Sequence, residues 1–132
     1  MAQMEINKDL VIENSNTALE ITANRTKYPY NGEYRIGTFY DGDAVYRQCF
    51  VFQFNGTYTE NGMTYMWYNT GINFKKVLNI YGTIGSANDY IYNPNTQGVT
   101  STVVRGKQIQ VGIITSQAQG QWMFIVLEYI KS

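Results

Sequence analysis

The chain has 132 residues and carries ten basic and ten acidic residues, so its formal net charge is zero. A chain of this length fits a single domain with its own hydrophobic core. Because the charges cancel and no run of like charge is longer than Lys75-Lys76, the composition indicates neither a nucleic-acid partner nor a membrane-surface partner.

Signals for membrane insertion and secretion are not found in the sequence. The longest apolar run lies within Trp122 to Leu127, far below the roughly 20 residues that a membrane helix needs. Met1 to Leu10 is polar and mixed in charge, unlike a secretory signal. We therefore expect synthesis and assembly in a cytoplasm, without membrane insertion. The single cysteine, Cys49, is expected to be a buried free thiol.

The N-terminal part of the chain predicts short elements that end at a proline turn. Leu10 to Glu13 and Ala18 to Thr22 are strand candidates on either side of an Asn14-Ser15-Asn16 turn, with a short helical start as the alternative. Tyr28 to Gly32, which contains Pro29, is predicted to be the turn that ends this part.

The composition of the whole chain favours β-structure. The chain has twelve tyrosines, twelve glycines and only two prolines, together with many β-branched residues, a composition typical of all-β proteins. We therefore predict an N-terminal arm or attachment segment at residues 1–30 and a β-domain at residues 31–132.

Tyr34 to Phe54 predicts a β-hairpin. Asp41-Gly42 can occupy the two positive-φ positions of a type I′ turn, and β-forming residues lie on both sides of it. On the second strand a period of two separates an aromatic face from a mixed face. The aromatic face, which we expect in the core, holds Tyr46, Gln48, Phe50, Phe52 and Phe54, and the mixed face holds Arg47, Cys49, Val51 and Gln53.

Further turns divide the remaining sequence into strands. Asn61-Gly62 predicts a second tight hairpin turn, and Gly106-Lys107 predicts a type II′ turn. The predicted strands are Thr57 to Glu60, Met63 to Tyr68, Val77 to Thr83, Tyr90 to Tyr92, Val99 to Arg105, Gln108 to Ile114 and Gln121 to Lys131. Eight or nine strands at this spacing favour a single-domain antiparallel β-sandwich, jelly-roll-like, over a barrel.

Several short motifs in the β-domain match a known signature at the same spacing. They are Ile36-Gly37-Thr38, Asp41-Gly42 and Tyr46-Arg47 in the first hairpin, Lys76 to Gly82 in a middle strand, and Val126 to Ser132 at the end. The hairpin resembles the IGTWIDGKPIYRK-like signature of structural proteins of tailed bacteriophages and prophages, and the other two segments are similar to their middle and closing strands. The resemblance spans residues 33–132. Phe39, Tyr40, Asp43 and Ala44 depart from the signature at the hairpin tip.

The resemblance implies a non-enzymatic component of a phage virion. Such proteins are commonly fibre, fibre-tip, receptor-binding or head-decoration proteins, and commonly trimeric. The expected function is display of the β-domain for attachment to the host surface, with residues 1–30 binding other virion proteins. A freestanding carbohydrate-binding module or lectin, and a purely structural virion adaptor, are the alternatives.

The closing strand is apolar on both faces. One parity holds Trp122, Phe124, Val126, Glu128 and Ile130, and the other holds Met123, Ile125, Leu127 and Tyr129. Such a strand is either central and covered on both sides or in contact with another subunit. We predict an oligomer interface at Trp122, Phe124, Val126 and Ile130, and the resemblance implies a homotrimer. Glu128 would need a cationic partner if buried, for which Arg105 and Lys107 are candidates.

Enzymatic chemistry has little support in the sequence. The chain has no histidine, which excludes a Ser-His-Asp triad, a Cys-His pair and most zinc sites. No carboxylate pair lies in a glycosidase-like motif and no glycine-rich phosphate cradle follows a strand. We predict a protein that is not an enzyme and has no cofactor and no metal.

Binding through aromatic side chains is the function that this composition favours. Aromatic rings can stack on sugar rings while amides bind hydroxyl groups, and tyrosine offers stiff contact area at low entropic cost. We predict a ligand-binding aromatic patch, with a host surface glycan as the candidate ligand. Its candidate residues are Tyr40, Tyr65, Trp67, Tyr68, Tyr90 and Tyr92, with Asn69, Asn88, Asn93 and Asn95 as polar neighbours.

Overall fold

A computed structural model describes residues 16–85, 91–118 and 120–132. The described residues form nine strands, which are β1 (Tyr34–Thr38), β2 (Ala44–Gln53), β3 (Tyr58–Glu60), β4 (Met63–Asn69), β5 (Phe74–Gly85), β6 (Ile91–Tyr92), β7 (Thr100–Arg105), β8 (Gln108–Ile114) and β9 (Trp122–Lys131). Sheet A has the order β1-β2-β9-β5-β6 and sheet B the order β3-β4-β8-β7. All strand pairs are antiparallel, so the predicted all-β sandwich is confirmed.

The hydrophobic core lies between the two sheets. Its buried side chains are Phe50, Phe52, Phe54, Ile84, Ile109, Val111, Ile113, Ala118, Met123, Ile125, Leu127 and Tyr129. The aromatic parity predicted for β2 is therefore confirmed, and Tyr46 packs against the same cluster. Tyr68 of sheet B stacks on Phe52 of sheet A with ring centroids 4.2 Å apart and an interplanar angle of 7°.

Two of the three predicted turns have the expected backbone. Asn61 and Gly62 both have positive φ, 51° and 79°, as a type I′ turn requires. Gly106 has φ 59° and begins the β7–β8 turn, in agreement with the type II′ prediction. In the first hairpin, by contrast, only Gly42 has positive φ.

The type I′ prediction for Asp41-Gly42 is therefore wrong. The Gly42 amide donates to Phe39 O and the Phe39 amide to Asp43 O, which is the pattern of a longer hairpin loop with glycine in the left-handed position. The Asp41 carboxylate instead accepts the Asp43 amide at 3.0 Å, so its side chain stabilises the turn while its backbone keeps negative φ.

Residues 16–24 are helical, so the strand predicted at Ala18 to Thr22 is wrong and the helical alternative is correct. Ala18, Leu19 and Glu20 are good helix formers, and the Thr22 hydroxyl donates to Ala18 O one turn earlier. The strand candidate Leu10 to Glu13 lies outside the described residues. No helix in the described ranges has the length and hydropathy that a membrane-spanning helix needs.

Residues 24–30 lie against the outer face and edge of sheet A. The Asn24 amide donates to Arg35 O at 2.9 Å, and Pro29 O accepts the Cys49 amide at 2.7 Å. Cys49, on the outer face of β2, is only 1% exposed, and burial raises the pKa of its thiol. The prediction of a buried free thiol is confirmed.

Arg47 joins this segment to the sheet. Its guanidinium donates to Arg25 O at 2.8 Å and to Lys27 O at 2.9 Å, and it forms an ion pair with Glu128 at 2.8 Å. The Tyr28 ring lies 4.9 Å from the guanidinium carbon. The partner of Glu128 is thus Arg47, and the prediction of Arg105 or Lys107 is wrong.

Glu128 also accepts a hydrogen bond from the Tyr81 hydroxyl at 2.9 Å. Burial, followed by this hydrogen bond, raises the pKa of Tyr81 to about 12. Tyr28 packs edge-on against Tyr81. Because Arg47 and Tyr81 lie on the two strands that flank β9, Tyr28 covers the middle of that strand.

Candidate functional site

The outer face of sheet B carries the largest connected group of partly exposed aromatic rings among the described residues. Thr64, Met66 and Tyr68 of β4 point toward the core, so Tyr65 and Trp67 point outward, as strand alternation requires. The Asn61-Gly62 turn sets the register and places Tyr58 of β3 directly opposite Tyr65.

We call Tyr58, Tyr65 and Trp67 the aromatic surface. Tyr58 lies 6.3 Å from Tyr65 and 6.1 Å from Trp67, and Tyr65 lies 6.4 Å from Trp67, all between ring centroids. Tyr58 is 47% exposed and Trp67 is 42% exposed, so two of the three rings present much of their area to solvent.

Gly112 of β8 supports the position of Tyr65. It is the cross-strand neighbour of Tyr65, and a Cβ added at Gly112 would lie 2.6 Å from the Tyr65 ring. The ring therefore occupies the space that any other residue would fill. The absence of a side chain at Gly112 lets Tyr65 lie against the sheet, which is a known way to cover a strand glycine.

Side-chain amides lie beside the rings. Gln110 is the cross-strand neighbour of Trp67, and Gln108 is the neighbour of Asn69. Neither glutamine side chain has a hydrogen-bond partner among the described residues. Asn69 uses its side-chain oxygen to accept the Gly71 amide at 2.9 Å, which leaves its NH₂ group available. Gln110 is half-buried, while Gln108 and Asn69 are exposed, so all three amides offer donors or acceptors to the hydroxyl groups of a ligand.

Among the described residues of this face, charged side chains lie only near its ends. At one end the Tyr58 hydroxyl donates to Glu60 at 3.2 Å, and this hydrogen bond raises the pKa of Tyr58. At the other end Arg105 pairs in register with Gln108. In the centre of the face, Trp67 pairs with Gln110 of β8, and Gln110 pairs in turn with Val103 of β7. None of these three side chains carries a formal charge.

The other predicted patch residues are not part of this surface. Tyr40 is 90% exposed at the tip of the β1–β2 hairpin in sheet A, where it contacts only Phe39 among the described rings. Tyr68 points into the core, so its prediction as an outward residue is wrong. The half-buried Tyr92 donates its hydroxyl to Gln117 at 2.5 Å. Tyr90 lies outside the described residues.

Two of the predicted asparagines, Asn93 and Asn95, form hydrogen bonds within the fold and are not part of the aromatic surface. Asn95 exchanges two hydrogen bonds with the backbone of Thr102, at 2.8 and 3.3 Å. It thereby pairs with the otherwise open edge of β7, a protection that edge strands need. Asn93 O accepts the hydroxyls of Thr96 and Thr100. Both are structural, and Asn88 lies outside the described residues.

The predicted oligomer interface is only partly accessible. Val126 is 0% exposed and Ile130 3% exposed within the chain itself, because β9 is the central strand of sheet A and its outer face is partly covered. These two residues are therefore removed from the predicted interface. Trp122 and Phe124 are 50% and 40% exposed. Together with Val51, Thr83 and Ile91 they line an apolar groove of about 320 Å³.

The sequence pattern did not indicate two contributors to the surface, Tyr58 and Gln110. Tyr58 lies three residues before the Asn61-Gly62 turn and Tyr65 three residues after it, so the turn register alone could have paired them. Gln110 could not have been found in this way, because its neighbour Trp67 is 43 residues away in the chain and the pairing of β4 with β8 is not local.

The chemistry of this surface is suited to binding. Three rings, three amides and a neutral centre offer stacking area and hydrogen bonds, with no acid–base pair among them. The described ranges contain no group of three or more histidine, cysteine, aspartate or glutamate residues placed to hold a metal ion. Comparison with known proteins finds no protein family, no curated protein and no solved structure that matches the chain significantly.

Proposed function

We propose that the chain is a non-enzymatic structural protein of a tailed-phage virion, a fibre, fibre-tip or capsid-decoration protein, that displays its β-domain for attachment to the host surface. The observation that carries the attachment role is the aromatic surface of Tyr58, Tyr65 and Trp67. Grouped exposed rings of this kind are typical of recognition surfaces.

The two outer faces of the sandwich differ in a way that supports this proposal. Residues 24–30 cover part of the outer face of sheet A through the Arg47 and Tyr28 contacts. The aromatic surface of sheet B has no such cover among the described residues, since Tyr58 and Trp67 keep 47% and 42% of their area exposed. Attachment through sheet B therefore leaves residues 24–30 on the opposite side of the domain, where they are available to another virion protein.

The residues that carry the phage resemblance have structural roles. Tyr46 packs against the core and Arg47 forms the ion pair with Glu128, while Asp41 and Gly42 form the hairpin turn. The resemblance therefore supports a shared β-domain. The attachment role depends on the aromatic surface, which lies outside the hairpin motif.

Trp67→Ala is expected to weaken binding of the protein to host cells by roughly tenfold or more, since it removes the largest of the three rings of the surface. The measurement is saturable binding of fluorescently labelled protein to a panel of intact bacteria that includes the source strain. Tyr40→Ala, which removes a more exposed ring at the tip of the β1–β2 hairpin, is expected to keep wild-type binding. Absence of saturable binding to every strain would contradict the attachment role.

A second experiment tests the virion assignment directly. An antibody raised against the β-domain is expected to label intact tailed-phage particles released from the source strain after induction. Mass spectrometry of the purified particles should identify the same chain. Particles that lack it would overturn the virion role and leave a freestanding binding module as the better description.

Self-association is part of the proposal, and Trp122 and Phe124 are its accessible residues. Light scattering is expected to give three times the chain mass of 15.1 kDa. Trp122→Ala combined with Phe124→Ala should lower the mass to that of one chain, because it removes the exposed apolar contact of sheet A. Trp67→Ala should leave the mass unchanged. A wild-type monomer at micromolar concentration would show that this groove does not bind a second copy.

A further inference from the structure

The shape of the aromatic surface limits what it can bind. Tyr58, Tyr65 and Trp67 lie on a sheet face, on the adjacent strands β3 and β4. A ligand must therefore lie along the face instead of entering a cleft. This geometry suits an internal segment of a chain molecule better than a small molecule, which needs a concave site to bury most of its area.

The ring spacing suits consecutive sugar units. Neighbouring ring centroids are 6.1 to 6.4 Å apart, a distance comparable to the length of one pyranose unit along a glycan. Aromatic faces carry negative charge density and attract the positively polarised C–H groups on the apolar face of such a ring. Two adjacent sugars can therefore stack on Tyr65 and Trp67 at the same time.

The tilt of the rings narrows the ligand further. Tyr65 and Trp67 are inclined by 34°, and Tyr58 is inclined to Trp67 by 55°. A flat, ribbon-like glycan cannot lie face-on against all three planes. A twisted chain, in which each sugar is rotated relative to the last, can follow them.

Polar and charged groups on the face point to neutral sugars. Gln110 lies beside Trp67 with a free side-chain amide, and Gln108 lies beside Asn69, so hydroxyl groups along one edge of the glycan find donors and acceptors. The Glu60 carboxylate next to Tyr58 would repel the carboxylate of an acidic sugar stacked there.

The geometry points to a binding site for a twisted, neutral hexopyranose glycan on the outer face of sheet B, with sugars stacked on Tyr65 and Trp67 and hydroxyl groups bound by Gln110. The ligand assignment rests on the proposed attachment function, because it concerns the same surface. The glycan class follows from the ring spacing, the ring tilts and the neutral centre.

The two tryptophans of the chain provide a direct test. Trp122→Phe leaves Trp67 as the only indole, and its emission is expected to change saturably when maltohexaose, a neutral and twisted hexose oligomer, is added. Trp67→Ala leaves only Trp122 on the opposite face, and its emission should not respond. Gln110→Ala in the Trp122→Phe background should weaken the affinity severalfold, with an unchanged circular dichroism spectrum.

Comparison of probes separates the possible outcomes. Cellohexaose, a flatter neutral chain, and a hexamer of galacturonic acid are each expected to bind roughly tenfold more weakly than maltohexaose, a difference of about 1.4 kcal/mol. Tighter binding of the acidic probe, or no response of Trp67 to any neutral hexamer, would overturn the glycan class. If Trp67-dependent cell binding persists in that case, the attachment function stands with another ligand. If the protein binds maltohexaose but not cells, the glycan site is supported and the proposed attachment function is wrong.

Discussion

Arg47→Ala is expected to lower the free energy of unfolding by about 3 to 5 kcal/mol, the range found when one partner of a buried ion pair is removed. The side chains of Arg47 and Glu128 are only 11% and 17% exposed. Without the guanidinium, the Glu128 carboxylate keeps hydrogen bonds from Tyr81 and Asn79 but has no cation. Urea denaturation followed by circular dichroism measures the loss.

The same substitution should detach residues 24–30 from sheet A before the domain unfolds. Arg47 binds the carbonyl oxygens of both Arg25 and Lys27, and Pro29 O accepts the amide of Cys49 two residues further along β2. Cys49 is thus covered by the segment that Arg47 holds. Reaction of its thiol with a maleimide under native conditions should be slow in the wild type and many times faster in Arg47→Ala.

Two further variants show whether the lost stability comes from the buried carboxylate that is left without a cation. Lys75→Ala removes an ion pair with Asp43 whose side chains are 56% and 35% exposed, and it should leave the denaturation midpoint nearly unchanged, because solvent screens an exposed pair. Arg47→Met combined with Glu128→Leu removes both charges, and it should regain most of the lost stability if the unpaired carboxylate is the cause. If Cys49 reacts with the maleimide as slowly in Arg47→Ala as in the wild type, other contacts hold residues 24–30 in place.

The parts of the fold that depend on local pattern could be predicted from sequence. The recurrence of Phe50, Phe52 and Phe54 at every second position correctly predicted which face of β2 lies in the core, because the side-chain period of a strand is two. Asn61-Gly62 set the β3–β4 register for a similar reason, since few residues adopt positive φ at two consecutive positions.

The parts that depend on distant contacts could not be predicted. Glu128 lies 81 residues from Arg47, and no local pattern joins them. For the same reason the sequence could not show that Val126, on the apolar outer face of β9, is covered within the chain. The candidate site follows this division, because alternation along β4 indicated Tyr65 and Trp67 together, and only the pairing of β4 with β8 adds Gln110.

Gly82 of β5 lies at a position where a side chain has no space. Its φ is 132°, a conformation that residues with a side chain rarely adopt, and an added Cβ would lie 1.9 Å from Phe124 O and 2.9 Å from Phe124 C. Both are backbone atoms of β9, the central strand of sheet A, which is paired on its two sides with β2 and β5. Neither strand can move away without breaking a ladder, so rotamer changes cannot relieve the collision.

Gly82→Ala is therefore expected to destabilise the domain by about 4 kcal/mol or more, and to lower the yield of soluble protein sharply. Gly42→Ala is the matched control, because Gly42 also has positive φ, 93°, but no atom lies within 4 Å of its added Cβ. The control should cost only about 1 to 2 kcal/mol, the price of the backbone conformation alone. Denaturant midpoints of the two variants, or the soluble fraction if Gly82→Ala does not fold, compare them. Equal destabilisation would show that backbone strain, and not the collision with β9, explains the glycine at position 82.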